Sequence, residues 1–363
     1  MPLTEQNLLE AFSSVKDIHT NKDLVALRAI QNLRIDGSQV SLTVQMPYPA
    51  QSLHEGIATQ LRAIALRLGV EQVQIDFTLR VQAHAVQRGV ALLAQVRNIV
   101  AVASGKGGVG KSTTTANLAL ALAQEGASVG VLDADIYGPS QPMMLGIDGQ
   151  RPHSDDGKTM QPLESHGVQA MSIGFLVKAD DAMIWRGPMA VSALEQMLRQ
   201  TQWRDLDYLL IDMPPGTGDI QLTLSQRVPL TGAVIVSTPQ DIALLDARKG
   251  IRMFEKVNVP ILGLVENMAV HVCTQCGHAE HIFGVDGGKK LAAELGMECL
   301  GSLPLDIRIR EQADGGQPTV VAQPDSAVAQ SYRQIARQIA AKIALQSKDY
   351  SSKFPTITIS KNS

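Results

Sequence analysis

The sequence predicts an α/β protein: a parallel sheet covered by helices, preceded by a small α+β domain. Three observations predict it. From Arg97 onward, short runs that are apolar nearly throughout (99–103, 129–132, 208–211, 233–236 and 261–265) alternate with helical stretches (112–124, 190–198, 242–256 and 288–295). That alternation is the mark of strand–helix–strand units, and strands buried on both faces read as continuous apolar runs. A glycine-rich string sits between the first run and the first helix. The first 80 residues instead alternate polar and apolar positions, as half-buried strands do.

Composition bounds the function. The chain has 363 residues, 45% apolar and 18% charged, enough for about two domains with a sizeable core. A net charge of −3 argues against a large basic face for nucleic acid or an anionic membrane. No apolar run approaches the ~20 residues that span a bilayer. The start, Met-Pro-Leu-Thr-Glu-Gln, lacks the basic and apolar regions of a secretory signal. Three cysteines, Cys273, Cys276 and Cys299, are too few for a disulfide framework. The expectation is a cytoplasmic protein.

In chain order, residues 23–27 read as a first strand. Residues 39–46 read as a second, entered through an Asp36-Gly37 turn and ended by Pro47 and Pro49. Residues 54–68 place Ile57, Leu61, Ile64, Ala65 and Leu68 on one helical face. Val73, Ile75, Phe77 and Leu79 alternate as a third strand. This strand–strand–helix–strand order, with its Pro-x-Pro, resembles the small iron–sulfur cluster assembly domain. Relatives often carry a cysteine after the proline segment. Here the stretch from Met46 to Ser52 has none, so residues 1–80 read as a docking module. Residues 81–96 read as a linker with His84 an ordinary surface histidine, 97–345 as the second domain, and 346–363 as a loose polar tail.

The string Gly105-Lys106-Gly107-Gly108-Val109-Gly110-Lys111-Ser112 has the spacing of a phosphate-binding loop between strand and helix. Glycines allow close approach, so successive N–H groups can cradle phosphate oxygens beside the helix N-terminus. Lys111 supplies charge for the β- and γ-phosphates and Ser112 a hydroxyl for Mg²⁺. Further candidates follow strand ends, where ligands gather in such sheets. Asp133 and Asp135 can position water and help hold Mg²⁺. Asp212 stands at the end of an apolar strand, where a carboxylate meets Mg²⁺, and the turn to Asp219 can sense the γ-phosphate. Asn267 offers a donor and an acceptor to a purine edge.

Cys273-Thr274-Gln275-Cys276 is a second chemical signal. Two thiolates can grip one soft metal, but zinc sites and [4Fe–4S] clusters want four ligands. A symmetric dimer would supply them on its two-fold axis. A zinc site completed by His271, His278 or His281, a redox pair and an inert pair are the alternatives. Cys299 reads as core packing.

Lys106 inside the loop, the strings 133–140 and 212–219, and Trp185-Arg186-Gly187-Pro188 together resemble one branch of the MinD/ParA/nitrogenase iron protein class. That branch is the Mrp/ApbC-type ATP-dependent iron–sulfur cluster carriers, and the resemblance covers 97–345. It implies a homodimer in which Lys106 reaches the partner's nucleotide, and in which Lys106 and Lys111 bind phosphate. It also implies that Ser112 ligates Mg²⁺ with Asp133 and Asp212 in support, that Asp135 orients the attacking water, and that Asn267 meets adenine. The segment Pro304-Leu305-Asp306 falls where a loop packs near the base. Cys273 and Cys276 would bridge a labile [4Fe–4S] cluster, exchanged with donor and apo-acceptor proteins, with slow hydrolysis. A positioning ATPase of the MinD or ParA kind is the rival. Its basic amphipathic C-terminal helix is missing from Phe354 to Ser363, and it leaves the cysteine pair unexplained.

Overall fold

The computed structural model describes residues 3–84, 90–176, 187–273 and 275–346. The expected tail from 347 onward, part of the linker, and Trp185 and Arg186 lie outside the described residues.

The N-terminal unit comprises α1 (Glu5–Phe12), β1 (Ile30–Asp36), β2 (Gln39–Met46), α2 (His54–Arg67) and β3 (Gln72–Leu79). Thr4 caps α1, its hydroxyl accepting from the Asn7 N–H at 3.2 Å. β1 and β2 are antiparallel around the Asp36-Gly37 turn, where Gly37 has φ +59°. β2 and β3 run parallel in unbroken register from Gln39↔Gln72 to Met46↔Leu79, joined by α2, which buries Ile57, Ala58, Leu61 and Ala65. One expectation fails: residues 23–27 form turns, not a strand. The Asp23 carboxylate accepts from the Ala26 N–H at 2.7 Å and captures the backbone locally. The first strand is Ile30–Asp36, and a register shift between Gln31 and Arg34 breaks its alternation.

His84 corrects a second expectation. It is buried, with its ring Nδ1 3.0 Å from Asn98 Oδ1. Asn98 in turn donates to the Gln82 carbonyl at 2.9 Å, so the start of the linker is clasped onto the next strand.

The second unit contains β4 (Val96–Ala103), α3 (Lys111–Gln124), β5 (Val129–Asp133), α4 (Gln141–Met144), β6 (Leu163–Ser165), β7 (Val168–Ser172), α5 (Gly187–Gln200), β8 (Leu206–Asp212) and α6 (Asp219–Arg227). It continues with β9 (Gly232–Ser237), α7 (Asp241–Lys256), β10 (Ile261–Glu266), β11 (His271–Val272), β12 (Ala279–Glu280), α8 (Gly287–Glu294), β13 (Cys299–Ser302), α9 (Ile307–Asp314), α10 (Thr319–Ala322) and α11 (Ala327–Ala344). The eight-stranded sheet has the order β13-β10-β9-β4-β8-β5-β7-β6. All its pairings are parallel except β6 with β7. The five apolar runs read from the sequence are its central strands, and β5 and β9 are buried at every position. The chain leaves β4 toward β5 on one side and later returns to β9 on the other. A right-handed crossover therefore puts α3 on the face opposite α7 and α8, and the strand order reverses beside β4. α11 closes the first face by packing along α3.

The two units meet at the far end of α3. Glu125, which caps that helix, is buried. Its carboxylate accepts from the Ser52 N–H at 2.9 Å, the Ser52 hydroxyl at 2.7 Å and Arg337 Nη1 at 2.6 Å. Arg337 also donates to His19 Nε2 at 3.2 Å. The proline segment of the N-terminal unit is thus tied to α3 and α11.

Candidate functional site

Register alone gathers the chemistry. Asp133 on β5 lies beside Asp212 on β8, which pairs with Val102 of β4, and Ser172 of β7 lies on the other side of Asp133. All stand at strand carboxyl ends around the reversal point, where open α/β sheets bind ligands.

The glycine loop runs from Ser104 to Gly110, and Gly110 is the left-handed N-cap of α3 with φ +79°. Two glycines are demanded by space. A Cβ on Gly105 would sit 2.1 Å from the Asp246 carbonyl carbon in α7, and one on Gly110 would meet Asn267 Nδ2 at 2.2 Å. The cradle between them is open: a Cβ on Gly108 would touch nothing within 4 Å, and one on Gly107 only Pro215 at 3.9 Å. Gly107 and Gly108 are exposed, while Val109 is buried beneath the loop. Lys106 is half-buried and makes no ion pair with the described residues; its carbonyl accepts from Ser104 Oγ at 2.8 Å.

Under the cradle the side chains converge. Lys111 Nζ donates to Asp212 Oδ1 and lies 3.2 Å from Ser112 Oγ. Thr115 Oγ1 also donates to Asp212 Oδ1, at 3.1 Å. Gln141 Nε2 donates to Asp212 Oδ2 and to the Ser112 carbonyl, both at 3.0 Å. Gln141 and Thr115 were not singled out from the sequence. Gln141 lies just past the 133–140 string, and that proximity was the only signal for it.

Asp133 is fully buried and spends its carboxylate on the chain. It accepts from the N–H groups of Asp135, Ser140 and Gln141 at 3.1, 2.9 and 3.1 Å, and from Ser172 Oγ at 3.1 Å. Burial, and then the neighbouring Asp212, push its carboxyl well above the usual carboxylate range. Asp133 thus holds the loop that carries Asp135 and Gln141. Asp135 is half-buried, and burial raises its carboxyl while Lys111 opposes the rise.

The residues present fit a magnesium nucleotide. Ser112 and Asp212 offer hard oxygen donors, Lys111 a buried ammonium, and Gly107 and Gly108 an open backbone cradle. Ser140 Oγ and Gln141 Oε1 are buried beside them without a hydrogen-bond partner among the described residues. The loop after Asp212 is tied to the cradle, since the Gly216 N–H donates to the Ser104 carbonyl at 3.1 Å.

Asn267 is placed under the loop: its Nδ2 donates to the Val109 carbonyl at 2.8 Å. Glu266 before it is a clasp, accepting from the Gly288 N–H at 2.7 Å and from Ser302 Oγ at 3.1 Å. Leu305 pairs with the segment before the cysteines, its N–H donating to the Val270 carbonyl at 2.8 Å, and Asp306 caps α9.

Cys273 and Cys276 occupy the tip of the β11–β12 hairpin. The Cys273 N–H donates to the His278 carbonyl and the Gly277 N–H to the Cys273 carbonyl, both at 2.9 Å, with Gly277 at φ +72°. Cys273 is half-buried and Cys276 exposed, both as free thiols. Backbone N–H groups of Cys276 and Gln275 aim at the Cys273 sulfur and hold its thiol below the ordinary cysteine value. The nearby histidines are turned to the backbone: His271 Nδ1 lies 3.1 Å from the Leu305 carbonyl and His281 Nδ1 2.7 Å from that of Ala269. Among the described residues, no three His, Cys, Asp or Glu stand together as a metal-binding group. Cys299 is half-buried on edge strand β13, where burial raises its thiol.

Among the described residues no helix is long and apolar enough to cross a membrane. Residues 95–340 match the ParA family described as NUBPL iron-transfer P-loop NTPase, and residues 5–77 match the iron–sulfur cluster assembly protein family. An iron–sulfur cluster carrier protein of Pseudomonas fragi is 61% identical over 269 residues, covering 74% of this chain and 94% of that one. The iron–sulfur cluster carrier protein of Escherichia coli K12 is 52% identical over 325 residues, 89% of this chain and 88% of that one. Among solved structures, a nucleotide-binding protein of Archaeoglobus fulgidus in complex with ADP aligns with TM-score 0.56 and 38% identity. It covers 64% of this chain and 90% of that one. The Pyrococcus furiosus cell division ATPase MinD shares the fold at TM-score 0.52 and 23% identity, over 67% of this chain and 98% of its own. With a complete phosphate loop, a cysteine pair at a hairpin tip and these matches across both units, the chain belongs to the iron-transfer P-loop NTPase family, with an iron–sulfur cluster assembly domain at its N-terminus.

Proposed function

We propose that the protein is a cytoplasmic homodimeric ATPase that carries a labile [4Fe–4S] cluster as cargo and transfers it to apo-proteins. The observation that carries this reading is the Cys273–Cys276 hairpin tip, on the same chain as a complete phosphate loop. One chain presents two thiolates and no third or fourth donor beside them among the described residues. A four-ligand cluster then draws its other two thiolates from a second copy.

Lys111 binds the β- and γ-phosphates over the loop N–H groups, and Lys106 reaches the nucleotide of the second copy. Ser112 and Asp212 hold Mg²⁺, which when bound offsets charge on the transferring phosphoryl group. Gln141 keeps Asp212 and the start of α3 in register. Asp135 orients the attacking water. Asn267 steadies the loop through Val109 and offers its amide oxygen to the adenine edge. The 213–218 turn, tied to Ser104, relays the state of the γ-phosphate, so hydrolysis is slow and its output is a conformational cycle. Residues 1–80 and 97–345 work as docking and carrier domains, and donors and acceptors are the partners.

Anaerobic iron–sulfur reconstitution tests the reading. Wild type should take up about four irons per dimer, with a visible charge-transfer band lost in Cys273→Ala and Cys276→Ala. Stoichiometric zinc without iron uptake would overturn it. Lys106→Ala should spare nucleotide binding and lose hydrolysis; unchanged hydrolysis would remove the cross-dimer role.

A further inference from the structure

We propose that a basic groove between the N-terminal unit and the end of α11, where Ala344, Leu345 and Gln346 also line it, binds an acidic segment of a partner protein. Two adjoining hollows, of about 330 and 240 Å³, share Leu27, Arg28, Pro47 and Gln82. They lie where β2 and β3 end, at Met46 and Leu79, so they occupy the carboxyl ends of the parallel strands of this strand–helix–strand unit.

The groove carries one sign of charge. Lys22 lines the first hollow, Arg80 the second, and Arg28 both. All three are exposed, and none makes an ion pair with the described residues. No aspartate or glutamate lines either hollow. In a chain of net charge −3, three unpaired cations along one groove are a local reversal of sign. Low-dielectric walls focus such a field on anions.

Arg28 sits at φ +53°, a backbone region costly for a side chain of this size, and it lines both hollows. Gln45 and Gln82 line the same groove, and their side-chain amides make no hydrogen bond to the described residues. Carboxylates meet the three cations and the peptide backbone meets the two amides, so the ligand is an acidic peptide segment. The proposal rests on the cluster-carrier reading only for calling that segment part of a cluster donor or acceptor.

The test is fluorescence anisotropy of a labelled hexaglutamate peptide titrated with the full chain. Saturable binding is expected, weakening as salt screens the charges. It should fall about tenfold in Lys22→Gln/Arg28→Gln/Arg80→Gln, the combined effect of three exposed charge contacts. A hexaglutamine peptide should not bind, and Arg252→Gln/Arg310→Gln, which removes cations elsewhere, should bind as wild type. Unchanged binding in the groove variant, equal loss in the remote variant, or displacement of the peptide by equimolar citrate would each overturn the proposal. Circular dichroism confirms that the groove variant is folded, and partial rescue by Lys22→Gln/Arg28→Lys/Arg80→Gln separates charge from packing. Iron uptake and ATP hydrolysis are measured on the same variants and should be unchanged. Their absence in wild type would count against the carrier reading and leave the groove standing.

Discussion

Replacing Glu125 by glutamine should loosen the joint between the two units. Its carboxylate is 1% exposed and faces an Arg337 side chain that is 12% exposed, at 2.6 Å. The same two oxygens take the Ser52 N–H and hydroxyl. Glutamine keeps the shape but has one acceptor and turns an N–H₂ toward donors. The Arg337 guanidinium is then left nearly buried without a counter-charge. Removing one partner of a buried pair costs about 3–5 kcal/mol. Arg337 keeps some contact with water, so the low end applies, about 3 kcal/mol. That is a large share of the roughly 5–15 kcal/mol typical of a folded domain. Urea unfolding followed by far-UV circular dichroism reads the loss. The Glu125→Gln/Arg337→Gln double variant should recover more than half of it, because the stranded charge is gone. A loss below about 1 kcal/mol, the value of an exposed pair, would show that water screens this joint and that the two units are not locked through it.

His19 adds a pH dependence at the same joint. Burial and Arg337 hold its imidazole below the ordinary histidine value, so the unfolded chain binds this proton more readily than the folded one. Stability from this group is complete above the unfolded value of about 6.5 and declines as pH falls from there to the folded value. Unfolding free energies measured between pH 7.5 and 5.5 should show that decline, and a His19→Gln variant with an equal slope would refute it. Gly105→Ala should destabilise the protein more than Gly108→Ala. The first drives a methyl group into the α7 backbone, whereas the second meets no atom and bears only its φ of +79°. Thermal unfolding of the pair decides this, and the reverse order would mean that α7 yields to the methyl group.

The central sheet was readable because each of its strands is buried on both faces, which leaves an unbroken apolar run such as 129–132 or 233–236. The phosphate loop was readable because its chemistry is carried by consecutive residues at fixed spacing. The first strand was not, since the register shift between Gln31 and Arg34 breaks the alternation that marks a strand. His84 was misjudged because its burial depends on Asn98, a partner on another strand.

By itself, the sequence determined the α/β class, the loop that cradles phosphate and the two-thiol tip, because each is written in local periodicity or in contiguous residues. Only the tertiary structure decided what each carboxylate does. Asp133 and Asp212 look alike as acids at strand ends, yet one is consumed by the backbone of 135–141 and Ser172, while the other faces Lys111 and Gln141. Their roles depend on which groups from β7, α3 and α4 arrive around them. So does the reach of α3, which begins at the phosphate loop and ends on Ser52 and Arg337. Those partners lie 73 and 212 residues from Glu125 along the chain, and only folding brings them together.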